Sequence, residues 1–532
     1  MAFEKLSEKK LHNDYVRARI FGTTLFTAAA LIAQTSDISG ERIRAHVKFL
    51  SSDLLEGRGV GTRGGDLATE YLATQFQLLG AKPAGDNGTF FQRVPLVGIH
   101  PQPDATLSAA LQGKSTSFRW TDDFVGFNQR QTADDDFEAE AVFVGHGISA
   151  PEFHWDDFKG TDVKGKVLVL FTNEPPSEDP KFFEGRALTY FGRWSYKYEE
   201  ATRRGARAVL IIHTTPTAGY GWDVVRNSWS SEDPEVKLPA SQHALSLAGW
   251  LTKDAGEHLL AMAGRHVDEM LDAANKPGFR PVPLGIRIRA HLPSKIRQIE
   301  TRNVAAVIPG SDDQLKSQYV IFTAHWDHLG IGPEVNGDRI YNGAVDNATG
   351  CGMLLEIAHA WADLAYKPRR SALFLAVTAE EAGLRGSEYY ASHPIFPLDK
   401  TLLNLNFDGF YPFGRTEDVE VTGAERTNVW PIVQQAARRM NLTIKPDAHP
   451  EQGHYFRSDH FSFAHAGVPA FSISLGTRYY GKPADYGEKV FEEYNEKHYH
   501  QPSDEYHDNW DFAGMVEGAQ FGFLIGMDVA NK

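Results

Sequence analysis

The chain has 532 residues, 42% hydrophobic and 23% charged, which suits a soluble globular protein with room for two or more domains and a sizeable core. Its formal net charge of −15, with no basic run, argues against a nucleic-acid partner, because phosphate binding needs clustered Lys and Arg. The single cysteine, Cys351, excludes an intrachain disulfide.

Near the N-terminus, RARIFGTTLFTAAALIAQTS sets two arginines before an apolar run of about fourteen residues. That run is short for a spanning helix and has the length of a signal-peptide core. Residues 1–36 are therefore expected to be an export leader, with Ala30 and Ala33 as small residues for cleavage, and the mature protein to be periplasmic or secreted. The alternative is a short buried helix in a cytoplasmic protein. No later stretch is apolar enough to span a bilayer, so no integral membrane segment is expected in the mature chain.

Residues 37–129 read as an N-terminal helical part. Ile43, Val47, Leu50 and Leu54 fall at helical spacing, and DLATEYLATQFQLLGAKP repeats the pattern with Gly80 as a stop and Pro83 beyond it. Between them GRGVGTRGG contains Gly59-x-Gly61-x-x-Gly64. A dinucleotide fingerprint needs a strand ahead of it, and here a helical segment precedes, so a loop between helices is the expectation. Residues 130–280 differ in texture: AEAVFVGHGI, GKVLVLF and ARAVLIIH are short β-branched runs, with a helix expected in KYEEATRRGA. PLGIRIRAHL then alternates as a half-buried strand.

Residues 281–532 alternate strand and helix from about residue 300, which predicts an α/β domain with a mostly parallel sheet between helices. YVIFTA ends in HWDH, His325 to His328, LFLAVTA ends in Glu380 and Glu381, and LLNLNF ends in Asp408. YNGAVDNATG sets Asp346 before a helix, KHYHQPSDEY offers His498 and His500, and FRSDHFSF offers Asp459 and His460. One Asp or His at a strand end is ordinarily a turn or capping residue. Three ligand-bearing strand ends on one sheet edge point further, because ligands in such sheets sit beyond the carboxyl ends of strands. Carboxylates packed together without cations raise one another's pKa at considerable cost. A pair of divalent metals would relieve it, and mixed His and carboxylate donors suit zinc or a similar metal.

HWDH, GAVDNATG, EEAGLRGS, NFDGF and YHQPSDE, in this order over about residues 300–510, resemble the co-catalytic di-zinc exopeptidase family. That family includes bacterial leucyl aminopeptidases, aminopeptidase Y and the glutamate carboxypeptidases. The resemblance implies a zinc exopeptidase fold, two zinc ions (cobalt or manganese as substitutes) and a peptide substrate. It implies that His325 and Asp408 bind one metal, Glu381 and His500 the other, and that Asp346 bridges both. Asp327 would orient His325, and Glu380 would bind no metal and act as general base. His328, His498 and His460 do not align with ligand positions. Asp459 and His460 read equally as pocket lining or a capped helix start, Asp504 as a support for His500, and Cys351 as a core residue. VGHGI, WDDFKGTDVKGKVLVL and RRGARAVLIIH resemble a protease-associated domain inserted over 130–280.

The resulting expectation is a metal-dependent aminopeptidase. The alternatives are a carboxypeptidase or dipeptidase of the same family, a cyclase of N-terminal glutamine, an amide deacetylase, or a receptor-like homologue without catalysis. A carboxypeptidase would need cations for a substrate carboxylate, and Arg339, Arg385, Arg457 and Arg478 lie near the motifs. The oligomeric state is not readable from the sequence.

Overall fold

The computed structural model describes residues 38–532 except 240, 448 and 449, so the expected leader lies outside the described residues. Within them, helix α1 (Gly40–Leu50) buries Ile43, Val47 and Leu50. It ends earlier than the spacing predicts. Ser51 turns its hydroxyl back onto the Val47 carbonyl at 2.8 Å, and Leu54 is left 74% exposed while Leu55 enters the core. Helix α2 (Arg63–Leu78) follows the glycine-rich loop, which is a connection between helices. Gly64 shows why that loop needs glycine: a Cβ there would stand 1.8 Å from the Leu55 carbonyl oxygen.

The main sheet has ten strands, which include β1 (Phe91–Pro101), β2 (Asp233–Val236), β3 (Ser294–Ile308), β4 (Tyr319–His325) and β5 (Ser371–Val377). It continues with β6 (Thr401–Phe407), β7 (Asp418–Glu420), β8 (Thr443–Lys445) and β9 (Ala470–Leu475). In space the order is β2-β1-β3-β5-β4-β6-β9-β7-β8, with the short strand Lys82–Pro83 beside β3. β5, β4, β6 and β9 run parallel. Every residue of β4 and β5 is buried, as continuous apolar runs require when helices cover both faces. Helices α3 (Thr349–Ala362) and α6 (Ala513–Asn531) join α1 in a core with Phe322, Phe374 and Phe407. α6 comes close enough to the sheet that a Cβ at Gly522 would meet Phe407 at 2.5 Å. α4 (Arg385–Ser392) packs on the opposite face, where Tyr390 meets Leu373, Leu375 and Phe463. α5 (Trp430–Met440) flanks α6. Among the described residues no helix is long and apolar enough to cross a membrane.

The domain boundaries differ from expectation. A second, eight-stranded sheet draws on Thr106–Leu111, Lys114–Phe118 and Phe124–Phe127, which were expected in the N-terminal helical part, and on Val282–His291, expected in the catalytic part. The small unit thus reaches well beyond 130–280. The cause is the crossing point: β1 and the long β3 pair antiparallel from Phe91↔Val304 to Pro101↔Ser294, carrying the chain between units. Their polar and proline residues hid that long-range pairing from a pattern search.

Arg58 ties the glycine-rich loop to the catalytic half. It is 1% exposed, and its guanidinium donates to the carbonyls of Leu50 (2.6 Å), Trp326 (2.7 Å), Asn342 (2.6 Å) and Gly343 (2.8 Å). Arg58→Met would keep the bulk and strand these acceptors. The expected loss is about 3 kcal/mol or more, read as a lower urea midpoint with unchanged slope.

In the small unit His146 is 1% exposed, between Thr172 and Asn275. Burial, aided by the charge of Lys197, pushes its pKa down to about 4. The unfolded chain then binds the proton more tightly between about pH 4 and 6.5. The stabilisation is whole above that window and is lost as pH falls through it, about 3 kcal/mol in all. His146→Gln is expected to flatten the stability–pH curve there, and an unchanged slope would show that this histidine does not titrate on unfolding.

Candidate metal centre

Strand register assembles the site. His325 pairs with Val377, which sets the turn after β5 beside the end of β4. Thr323 pairs with Asn406, so Asp408 emerges just past β6 on the other side. Asp346 arrives from the turn Ala344–Ala348 ahead of α3, and His500 from the loop after helix Tyr486–Lys497.

All five expected donors meet here. Nε2 of His325 lies 3.1 Å from Asp346 Oδ1 and 3.1 Å from Asp408 Oδ1. Nε2 of His500 lies 2.9 Å from Glu381 Oε2 and 3.5 Å from Asp346 Oδ2. Asp346 therefore turns one oxygen to each histidine, the geometry of a bridge between two donor clusters. One group, His325, Asp346 and Glu381, presents its donor atoms within 4.8 Å of one another. Glu380 Oε2 is 3.9 Å from His325 Nε2, so the adjacent glutamates diverge, Glu381 toward His500 and Glu380 toward His325. The turn that splays them places Ala379 at φ 52° and Leu384 at φ 66°, left-handed conformations that cost of order 1 kcal/mol each.

Some supporting roles differ from those expected. The carboxylate of Asp327 is 4.0 Å from His325 Nδ1, while its backbone carbonyl is 3.2 Å away and receives the imidazole. Its Oδ1 instead accepts the Glu380 amide at 3.2 Å, so Asp327 holds the turn of the two glutamates. Asp504 does not support His500. It accepts the amides of Val345 (3.0 Å) and Asp346 (3.1 Å) and fixes the bridging turn. His328 is a second member of the HWDH string: its Nδ1 is 2.5 Å from Glu381 Oε1. Ser458, which sequence reasoning missed, donates to Asp408 Oδ2 at 2.5 Å, and Asn406 donates to Ser458 at 2.7 Å. Nothing in the local sequence signals this contact, which only packing creates.

Of the remaining candidates, His498 is turned to Ser503 outside the cluster. Asp459 and His460 are buried at the start of helix His460–His465 without a side-chain cap, so the capped-start reading does not hold. Cys351 is buried, and its thiol donates to the His325 carbonyl at 3.2 Å.

The protein atoms alone make a strongly acidic centre. Burial pushes the Glu380 carboxyl well above the usual carboxylate range; His325 opposes this, and Asp408 and Glu381 add to it. Burial disfavours the charged form of His500, but Glu381 and Asp346 outweigh it and push the pKa up to about 11. Asp346, Glu380, Glu381 and Asp408 have only histidines as ion-pair partners among the described residues. Clustered carboxylates and imidazoles without Lys or Arg are the donor chemistry of zinc-type cations, so the residues fit a metal.

Sheet topology and a buried cluster of His and carboxylate side chains at the strand ends define an α/β protein with a candidate metal-binding group. More particularly, residues 303–520 match the model described as Peptidase family M28, and this stretch is a domain of that family. Aminopeptidase NAALADL1 of Rattus norvegicus is 29% identical over 140 residues, 25% of this chain and 17% of that protein. Carboxypeptidase Q of Xenopus laevis is 25% identical over 323 residues, 59% of this chain and 56% of that protein. The chain thus spans at most about half the length of these curated relatives. Among solved structures, an aminopeptidase from Aneurinibacillus sp. strain AM-1 superposes with a TM-score of 0.50 at 19% identity, covering 92% of this chain and 94% of that one, which shows a shared fold.

Proposed function

We propose that the chain is a metal-dependent aminopeptidase that releases N-terminal residues from peptides. The observation that carries this is the divergence of Glu380 and Glu381 on either side of a carboxylate shared by two histidines. His325, Asp346 and Asp408 would hold one zinc, and Asp346, Glu381 and His500 a second, with cobalt or manganese as substitutes. Metal there supplies Lewis acidity toward a peptide carbonyl and a water. Asp346, fixed by Asp504 through its backbone, keeps the two donor sets in register. Glu380 binds no metal. It takes a proton from water at a carboxylate oxygen and delivers it to the leaving amine as the C–N bond breaks. Asp327 holds the amide of Glu380 and so aims it.

The small unit, which resembles a protease-associated domain, would narrow access to the centre. Its residues 184–190 lie on the catalytic unit through a 3.0 Å bond from the Leu188 amide to the Pro450 carbonyl and ring contact of Tyr190 with Phe461 at 4.8 Å. The expected leader makes the protein exported, periplasmic or secreted.

The test is release of free amino acid from short peptides with free and with acetylated N-termini by zinc-loaded protein. Cleavage of free N-termini only supports the aminopeptidase reading. Release from the C-terminus of acetylated peptides would replace it with a carboxypeptidase. No release from either set would favour a receptor-like role, which the complete donor set argues against.

A further inference from the structure

The small unit carries a crevice of its own. Its strands Val167–Phe171, Ala208–Ile212 and Leu247–Leu251 run parallel, side by side. After Ala208–Ile212 the chain turns to one face of the sheet, where Val225 and Trp229 of helix Trp222–Trp229 pack with Val209, Ile211 and Trp250. After Leu247–Leu251 it turns to the other face, where Ala255 and Leu259 of helix Lys253–Met262 pack with Leu210, Ile212 and Leu251. Neighbouring parallel strands whose connections leave on opposite faces open a gap beyond their carboxyl ends, the place where open α/β sheets hold ligands.

That gap is a cavity of about 400 Å³. His213 and Thr252, the residues that follow the two strands, line it together with Trp222, Lys253, Asp254 and Leu271. None of the metal-centre residues contributes to its wall.

His213 is 4% exposed. Its Nε2 donates to the Tyr220 carbonyl at 2.9 Å, which leaves Nδ1 as an acceptor, and Nδ1 has no partner among the described residues. Burial pushes the pKa of this ring below the ordinary histidine value, against the pull of the Tyr220 bond, so the imidazole is neutral at pH 7. Across the gap the Thr252 hydroxyl accepts the Ala255 amide at 3.1 Å, and the Thr252 carbonyl accepts the Gly256 amide at 2.9 Å. The amides of Lys253 and Asp254, in the same first helical turn, have no partner among the described residues. The Trp222 indole donates to the Thr121 carbonyl at 3.2 Å, and its ring stands edge-on to His213 with centroids 5.7 Å apart.

The charges around the cavity are mixed. Free amides at a helix N-terminus and the Lys253 ammonium favour an anion. An anion alone would also face the carboxylates of Asp254 and of Asp268, which pairs with Lys253 at 2.8 Å and shares the cavity wall. A cation alone would meet the helix N-terminus. A small molecule that carries both charges avoids both conflicts. We propose that this crevice binds a free α-amino acid, with its carboxylate on the Lys253 and Asp254 amides, its ammonium donating to His213 Nδ1, and its side chain against Trp222 and Leu271. On the exopeptidase reading such a molecule is the product released at the metal centre.

The experiment follows amide hydrogen exchange, segment by segment, in the zinc-loaded full chain as phenylalanine, phenylalaninamide or N-acetylphenylalanine is titrated in. Phenylalanine is expected to slow exchange in residues 213–217 and 252–256. The amide, which lacks the carboxylate, and the acetyl form, which lacks the ammonium, should each need about tenfold to a hundredfold higher concentration for the same protection. Leu271→Trp, which fills the cavity, should abolish the protection and leave kcat and KM for peptide hydrolysis unchanged. Lys253→Glu, at an exposed position that the fold tolerates, should weaken it about tenfold. Protection confined to the segments that carry His325, Glu381 and His500 would overturn the inference, because the amino acid would then sit only at the metal centre. Equal protection by phenylalanine and N-acetylphenylalanine would overturn it as well, in favour of a plain carboxylate site. Exchange is read without turnover, so absence of hydrolysis would overturn the exopeptidase reading and leave this result intact.

Discussion

Glu380→Gln is expected to lower kcat by about a thousandfold, within the range of about 10²–10⁴ ascribed to general acid–base catalysis, and to leave the bound metal unchanged. The side chain keeps its size and the backbone amide keeps its bond to Asp327, so the turn is preserved. Only the capacity to accept a proton goes. The separation of roles is geometric: Glu381 is tied on both oxygens, to His328 at 2.5 Å and His500 at 2.9 Å, whereas Glu380 approaches only His325, at 3.9 Å. Elemental analysis of the variant decides between base and ligand. Loss of metal together with activity would make Glu380 a ligand and remove it from the proton-transfer role.

Asp346→Ala is expected to reduce metal content to less than one ion per chain and to remove activity that added zinc does not restore. Replacing outer partners of metal ligands costs about tenfold to a hundredfold in affinity. Removing a carboxylate shared by two donor sets should exceed that, because each cluster loses an anion at once. The remaining His325, Asp408, Glu381 and His500 would still face one another, so the fold should survive, with a melting temperature within a few degrees of wild type. Full metal content in Asp346→Ala would show that the two clusters are independent and that the shared-carboxylate assignment is wrong.

These two variants separate proton transfer from metal retention. The distinction matters because the relatives include proteins named for opposite ends of a peptide. The direction of cleavage is set around the centre, by whichever charged groups receive the substrate's termini.

The sequence by itself determined the α/β class of the second half and the strand ends that carry chemistry. SALFLAV and YVIFTAH are buried throughout, and such runs signal strands covered on both faces without any knowledge of neighbours. His325, Glu380 and Glu381 stand at or just past the ends of those runs, and Asp408 just past TLLNLNF, so periodicity and position made them legible. The tertiary structure alone decided the rest. The reach of the small unit depends on β1 pairing with β3 some two hundred residues away, and polar or proline-bearing strands leave no local pattern. The roles of Asp327, His328, Ser458 and Asp504 are set by which atom faces which across the sheet edge. Spacing along a chain does not encode that, because each contact joins elements brought together only by packing.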